Sequence, residues 1–356
     1  MNSAPSIRSL AVELGISRST VSLALRDSPL IKDSTKSRVI SLARVRGYRL
    51  NPLMSSMMSG LKRTGIYRGE IAVVSTDESD RPVKAKCFRQ RLRDGAHLRA
   101  EELGFTAQDF SVGSGGLNIK RLDAILKARG IRGVMILPVW REPDLAKLDW
   151  RTYAGVYTDY LIERTALHTI CADFYRSMLY VLKHAGAMGF RRPGLFLDKP
   201  VEERLHFCWS NRWASAFLGF QSESAAYGDV PPLIEESLDQ NCFNSWFRRH
   251  RPDVVLGHRT EAIDWMKAAG AKVPETHAFI SLNIALKDRP CAGLDLQPEL
   301  LAATGVELLT AQILSNRCGL EEVSSATMIP GRWEDGPTLK RRIAVCGLEQ
   351  SSQGAS

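Results

Sequence analysis

The apolar positions of this chain keep helical spacing through the first fifty residues and then alternate between strand-like and helix-like runs. Ile7, Leu10, Ala11 and Leu14 recur at intervals of three and four, so they line one face of a helix that Ser6 can cap and Gly15 can end. After a tight turn, Ser17 can cap a second helix that turns Val21, Ala24 and Leu25 inward and leaves Arg18, Ser19, Thr20 and Ser22 outward. A third helix is predicted from near Asp33 to Gly47, burying Val39, Leu42 and Ala43. Three short helices around one small core, with helix-turn-helix spacing, are the expected result.

Residues 51–61 depart from both neighbours. Asn51 can cap a helix and Pro52 is pre-set for its first position, while Leu53, Met54, Met57, Met58 and Leu61 form an apolar face among serines. A helix this short is marginal alone and needs something to receive that face. Two readings stand: a wedge entering the minor groove of DNA, or a linker whose methionines pack on the next domain.

From residue 66 the rhythm changes. Strands are predicted at 71–74, 134–137, 195–197, 254–256 and 279–282, and helices at 88–103, 122–128, 178–184, 214–220, 263–269 and 300–314. Strands alternating with helices imply parallel sheets covered on both faces, an α/β class. Two sets of similar size imply two lobes with a cleft between them.

Charge sharpens this division. Residues 1–68 hold twelve Lys and Arg against Glu13, Asp27 and Asp33, a +9 equal to that of the whole chain, so the remainder balances. A basic head on a neutral body points to a polyanion at the head, the alternative being a merely soluble basic face. Seven scattered cysteines (Cys87, Cys171, Cys208, Cys242, Cys291, Cys318, Cys346) without C-x-x-C spacing suit free thiols in a reducing compartment, with no disulfide framework and no zinc site. No apolar run approaches the roughly 18 residues of a membrane span, and the N-terminus lacks a signal-peptide layout, so a cytoplasmic protein away from membranes is expected. No catalytic signature such as G-x-S-x-G, a P-loop or H-E-x-x-H is present; the glycine cluster at 113–116 lacks the Lys-Ser/Thr of a phosphate loop and reads as a turn. Neither enzyme activity nor a cofactor or metal is expected.

The outward set of the second helix has DNA chemistry. A helix N-terminus offers N–H groups to phosphate, the hydroxyls of Thr20 and Ser22 can donate to phosphate oxygens, and Arg18 is long enough to reach guanine O6 and N7. An ordinary capped amphipathic helix shows the same pattern.

Residues 7–61, containing L-A-x-x-L-G-I-S-R-S-T-V-S-L-A-L, R-V-I-S-L-A and G-Y-R-L-N-P in order, resemble the head and hinge of the lactose-repressor (LacI/GalR) family of bacterial transcriptional regulators. R-G-I-R-G-V-M-I-L-P, G-F-R-R-P-G-L-F and P-G-R-W-E-D-G-P-T-L continue the family's order to about residue 339. The resemblance implies an all-α helix-turn-helix head at 1–50 and a hinge helix and linker at 51–65. It further implies a periplasmic-binding-protein-like body at 66–340, built of two doubly wound parallel-sheet lobes joined by three crossovers, in which the chain after residue 300 returns to the first lobe. The Ser/Gln/Gly-rich tail at 341–356 reads as disordered. Function would follow: a homodimer binding a near-palindromic operator in double-stranded DNA, usually as a repressor, under control of a small effector, sugars among the candidates.

Residue roles carry over in the same way. Arg18 and Ser19, beside Ser17, would face bases; Thr20 and Ser22 would touch the backbone; Asn51, Met54 and Met57 would place the hinge in the minor groove, with Met57 as the wedge. Leu23 stands where a relative carries a base-reading arginine, which suits a thymine methyl. Lys32 occupies the usual capping position of the third helix, so Asp33 or Ser34 is expected to cap it.

For the effector, ligands of parallel sheets sit beyond the carboxyl ends of the strands. That nominates Asp77, Trp140, Asp198, His258 and Asn283, with Arg212 from the loop before residue 214. An aromatic platform with polar groups suits a sugar-like or heterocyclic ligand; rim packing for Trp140 and a loop hydrogen bond for His258 are the alternatives. Asn283 stands where many members carry an aspartate, and Arg212 is displaced from the family's usual effector arginine. The rival from another class is a periplasmic-type sugar-binding protein or sugar enzyme with an incidental basic leader.

Overall fold

Six small or branched side chains build the head. Helices α1 (Ile7–Leu14), α2 (Arg18–Leu25) and α3 (Asp33–Val45) bring Leu10, Ala11, Val21, Ala24, Val39 and Ala43 into one buried cluster. Gly15 turns the chain after α1 at φ +64°, where a side chain would be strained. Ser17 Oγ accepts the Thr20 N–H at 3.0 Å, the cap expected of α2. Arg46, just past α3, donates Nη2 to Glu13 on α1 at 2.7 Å and ties the ends of the first and third helices. The start of α3 differs from expectation: Lys32 holds the cap position and its side chain makes no capping bond. Asp33 instead lies in the first turn, where its charge suits the helix dipole, and pairs with Lys36 at 3.3 Å.

The computed structural model describes residues 7–25, 31–46, 69–77, 83–113, 116–139, 144–159, 165–198, 209–223, 227–236, 238–320 and 322–342. The stretch 51–65, with Asn51, Met54 and Met57, lies outside these, as do Trp140 and the tail beyond 342. Two compact units result, Met1–Ile66 and Tyr67–Ser356.

The second unit holds two six-stranded sheets. The first contains β1 (Gly69–Asp77), β2 (Phe105–Gly113), β3 (Gly133–Ile136), β4 (Ala154–Tyr157), β5 (His168–Asp173) and a late strand, β11 (Ala326–Pro330). Its order is β11-β5-β4-β3-β1-β2, parallel throughout. The second contains β6 (Pro193–Asp198), β7 (Leu233–Glu235), β8 (Val254–Gly257), β9 (Ala278–Ser281), β10 (Ala292–Asp295) and β12 (Arg332–Glu334). Its order is β12-β10-β9-β8-β6-β7, and β12 alone runs antiparallel to its neighbour. Every position of β3, β4, β8, β9 and β10 is buried, as strands covered on both faces require.

Helices supply that cover. On the first sheet, α4 (Val83–Glu102) and α10 (Pro298–Leu314) pack on one face and α5 (Ile119–Arg129) on the other. On the second, α6 (Phe174–Ala187) and α7 (Trp209–Glu223) take one face, and α8 (Gln240–His250) and α9 (Ala262–Ala268) the other. Local chemistry sets their ends: the side chains of Asn118, Asp173 and Asp239 cap α5, α6 and α8, and Gly130 ends α5 at φ +68°. Trp213, Phe190 and Phe217 are fully buried beneath the second sheet, each contributing about 1.5–3 kcal/mol by leaving water.

The chain passes between lobes three times, from β5 into α6, from β10 into α10 and from β11 into β12. Gln297 at φ +55° precedes α10, and Gly331, between β11 and β12, donates its N–H to Ser177 Oγ at 2.8 Å. Two doubly wound lobes with three crossovers, and the return of the chain to the first lobe through α10, are thus present. Strands β2, β4, β5, β7, β10, β11 and β12 and helix α8 have no counterpart in the predicted rhythm. At the glycine cluster Gly116 N–H donates to Gly113 O at 3.2 Å, and residues 114 and 115 between them lie outside the described residues.

Candidate functional site

The first candidate surface is the start of α2. Ser17 and Arg18 are exposed there, and Thr20 and Leu23 are part-exposed, while Val21 and Ala24 face the core. Ser17 Oγ also shares a hydrogen bond with Thr20 Oγ1 at 2.8 Å, so the cap orients a hydroxyl of the first turn. Ser19 and Ser22 belong to α2 by their backbone. This surface offers a cationic side chain and hydroxyls around a helix N-terminus, a set that binds phosphate and base edges.

The second candidate is a cavity of about 180 Å³ in the body, where the carboxyl ends of strands from both sheets converge. Pro138 and Val139 follow β3, Thr158 and Asp159 follow β4, and Cys171 and Ala172 close β5. From the other lobe come Phe174, Arg212, Trp213, His258 and Asn283, and α4 adds Phe88 and Arg89. Most of the wall is apolar.

Arg212 lies with Cζ 4.5 Å from the Phe174 ring centre and Nη2 3.6 Å from Asp159 Oδ1. Phe174 meets Trp213 edge to face at 4.9 Å, which fixes the platform on which the guanidinium rests. Arg89 Nη1 donates to Thr76 O at 2.8 Å, joining α4 to the end of β1. Asn283 Oδ1 accepts the Ala285 N–H at 3.1 Å, and Thr158 Oγ1 donates to Ile136 O at 3.0 Å. Trp213 Nε1 is buried and has no hydrogen-bond partner among the described residues. His258 keeps some exposed surface, but both ring nitrogens are buried, and burial lowers its pKa to about 3. The imidazole is therefore neutral at physiological pH. Burial also pushes the Cys171 thiol up to about 12, so it is no nucleophile there.

Of the residues nominated for the effector, Arg212, His258 and Asn283 line this cavity. Asp198 does not: its carboxylate faces Arg259 at 3.4 Å and its carbonyl accepts Ser210 Oγ, so it serves the edge of the second lobe. Asp77 ends β1 opposite Gly113, as a strand-end residue should. Arg89, Asp159, Phe174 and Trp213 escaped the sequence reading. Asp159 follows the strand-end rule that nominated the others, but β4 is four residues of small and apolar type and gives no clear period. Arg89 sits on a helix, where no strand-end rule points.

No protein-family model and no curated protein sequence matches the chain. Solved structures do share its fold. A complex of the transcriptional regulator CelR with cellobiose aligns over 94% of this chain and 99% of its own, with a TM-score of 0.55 and 16% identity. The lac repressor dimer bound to operator and the anti-inducer ONPF aligns over 94% and 99%, with a TM-score of 0.53 and 15% identity. A LacI-family transcriptional regulator from Silicibacter pomeroyi aligns over 95% and 100%, at 0.53 and 16%. The fold is that of these regulators, with a periplasmic-binding-protein-like body.

Proposed function

We propose that the chain is a sequence-specific DNA-binding transcriptional regulator of the lactose-repressor type, acting as a homodimer on a near-palindromic operator under control of a small molecule held in the body. One observation carries this reading: a helix-turn-helix head, with Arg18 exposed on the first turn of its second helix, shares a chain with a two-lobed body containing a lined cavity. The fold shared with an operator-bound repressor and a cellobiose-bound regulator supports it. In this reading Ser17, Arg18, Ser19, Thr20, Ser22 and Leu23 meet the major groove, and Asn51, Met54 and Met57 meet the minor groove.

Selection of duplexes from a random pool by the full chain tests it. An enriched site with two-fold symmetry is expected, and a chain lacking residues 1–61 should keep its folded body and lose that selection. A pool that yields no enriched site returns the balance to the periplasmic-type binding protein or enzyme.

A further inference from the structure

Positive charge is gathered at the amino-terminal end of the second sheet. Four segments meet there: 188–192 before β6, 248–253 from the last turn of α8 to β8, 270–277 before β9, and 340–342 after β12. Strands β6, β8 and β9 are parallel and start level, so the segments that precede them share one end, and the cavity lies at the other, past the carboxyl ends of β8 and β9. Asp253 joins three of the four, accepting the N–H groups of Arg191 and Arg192 and Arg342 Nη1, each at 2.9 Å. Arg342 Nη2 donates to Thr276 O and brings in the last.

Nine Lys and Arg stand in these segments against Asp253 and Glu275, a net +7, or +6 with Asp229, whose neighbour Gly228 packs on Arg192. Residues 69–356 balance as a whole, so the rest of the body is negative and this end is a true concentration of charge. Arg191, Arg192 and Arg342 turn onto backbone carbonyls or Asp253. The other six, Arg248, Arg249, Arg251, Lys272, Lys340 and Arg341, are exposed, and among the described residues no carboxylate lies within ion-pair distance of any of them. Glu275 lines the same shallow depression as Lys340 and Arg341 and pairs with neither. Such a surface collects counterions, and a polyanion gains affinity by releasing them.

The surface also selects among polyanions. Protein interfaces centre on apolar or aromatic anchors and membrane-surface elements insert them, but no large apolar side chain of these segments is exposed. Phe190 and Phe247 are buried, and the guanidiniums of Arg342 and Arg191 lie over the Phe190 and Tyr227 rings at 4.5 and 6.0 Å, which leaves no bare ring for single-stranded bases to stack on. Four of the six unpaired cations are arginines, whose planar fork matches phosphate. We propose that this end of the second lobe is a second, sequence-independent contact for the phosphate backbone of double-stranded DNA, separate from the head. A chain that also grips DNA through α2 then holds two duplex segments; only this consequence rests on the regulator reading.

Amine acylation of the full chain, read at Lys272 and Lys340 by mass spectrometry, tests the proposal. About six phosphate contacts lose roughly a thousandfold in affinity between about 50 and 200 mM salt, so a random-sequence duplex should shield both lysines at the lower salt and neither at the higher. Polyglutamate of equal charge and phosphatidylserine vesicles should shield them less. The triple substitution Arg248→Glu, Arg249→Glu and Arg341→Glu, confined to exposed side chains, should keep the thermal melt and lose the shielding. The salt series on the parent needs no variant and decides the matter even if the triple variant unfolds. No shielding by duplex, shielding that persists in a folded triple variant, or equal shielding by polyglutamate or vesicles overturns the proposal. Duplex selection is scored separately: a chain that shields both lysines but selects no site loses the regulator reading and keeps this one, and a chain that selects a site with both lysines unshielded loses this one alone.

Discussion

Arg91 on α4 and Asp295 at the end of β10 meet fork to fork, with Nη1 and Nη2 at 3.2 and 3.1 Å from the two carboxylate oxygens. The same guanidinium donates to Glu299 at 2.5 and 2.7 Å. Since α4 covers the first sheet and β10 belongs to the second, the pair ties the lobes together at the second passage of the chain. Burial works against the charge on Arg91, but the hydrogen bonds to Glu299 and Asp295 hold its pKa above the ordinary value. Asp295 is almost fully buried and otherwise accepts the Gln297 N–H and the more distant Arg332. Arg91→Ala should therefore cost about 2 kcal/mol in urea denaturation, and the loss should not add to that of Asp295→Asn. A loss under about 0.5 kcal/mol would mean that the pair behaves as a solvated surface bridge.

Two glycines in helices should respond oppositely to the same substitution. A Cβ on Gly95 in α4 would lie 2.6 Å from Glu299 Cα and O, where α4 and α10 touch. Alanine gains about 1 kcal/mol in helix propensity, but overpacking against backbone costs about 1–3 kcal/mol, so Gly95→Ala should destabilise. Gly219 in α7 has nothing within 4 Å of its Cβ position, and Gly219→Ala should stabilise by up to about 1 kcal/mol. Thermal melts of both variants check the signs.

These residues show what the chain discloses before folding. The head is legible because its helices keep a three- and four-residue apolar period and the first two carry a stop or a cap of their own: Gly15, Ser17, and the set from Leu10 to Ala43 sit where that period places them. The long helices of the body are legible for the same reason. Strands β4, β7 and β12 are not: β4 (A-G-V-Y) opens on Ala and Gly, which strands disfavour, β7 and β12 have three residues each, and β11 is largely exposed and gains its identity only by pairing with β5. Helix α8 hides behind its polar composition; its buried Phe243, Trp246 and Phe247 are spaced helically within a run that is otherwise polar or charged. The cavity is half legible. Strand ends nominate His258 and Asn283, but Arg89 comes from the second turn of α4 and Phe174 from the start of α6, and only tertiary folding brings those to the same place.

His258 should leave a signature in the pH dependence of stability. Its folded pKa of about 3 lies below the unfolded value of about 6.5, so across that window the unfolded chain binds a proton that the folded chain refuses. Stability is then full above pH 6.5 and falls as pH drops through the window. Between pH 7 and pH 5 the parent should lose about 1–2 kcal/mol more than His258→Gln. His277, whose pKa burial also lowers, acts with the same sign in both proteins and cancels in the difference. Parallel curves would show that water reaches the imidazole nitrogens.

At the head, Ser17 and Arg18 are neighbours with separable work. Ser17 Oγ caps α2 through the Thr20 N–H and is occupied by that bond, whereas Arg18 is exposed and lies outside the capping bonds. Ser17→Ala should cost the head about 1 kcal/mol and weaken binding to every duplex, because the whole first turn loosens. Arg18→Ala should leave the melt unchanged, lower affinity for the selected site by about 1–3 kcal/mol per half-site, and change affinity for random DNA little, if the guanidinium reads a guanine edge. Fluorescence anisotropy with both duplexes, at matched salt, separates the two. Equal weakening on selected and random DNA by Arg18→Ala would show that the side chain holds phosphate alone, and base recognition would then pass to the rest of the outward face of α2.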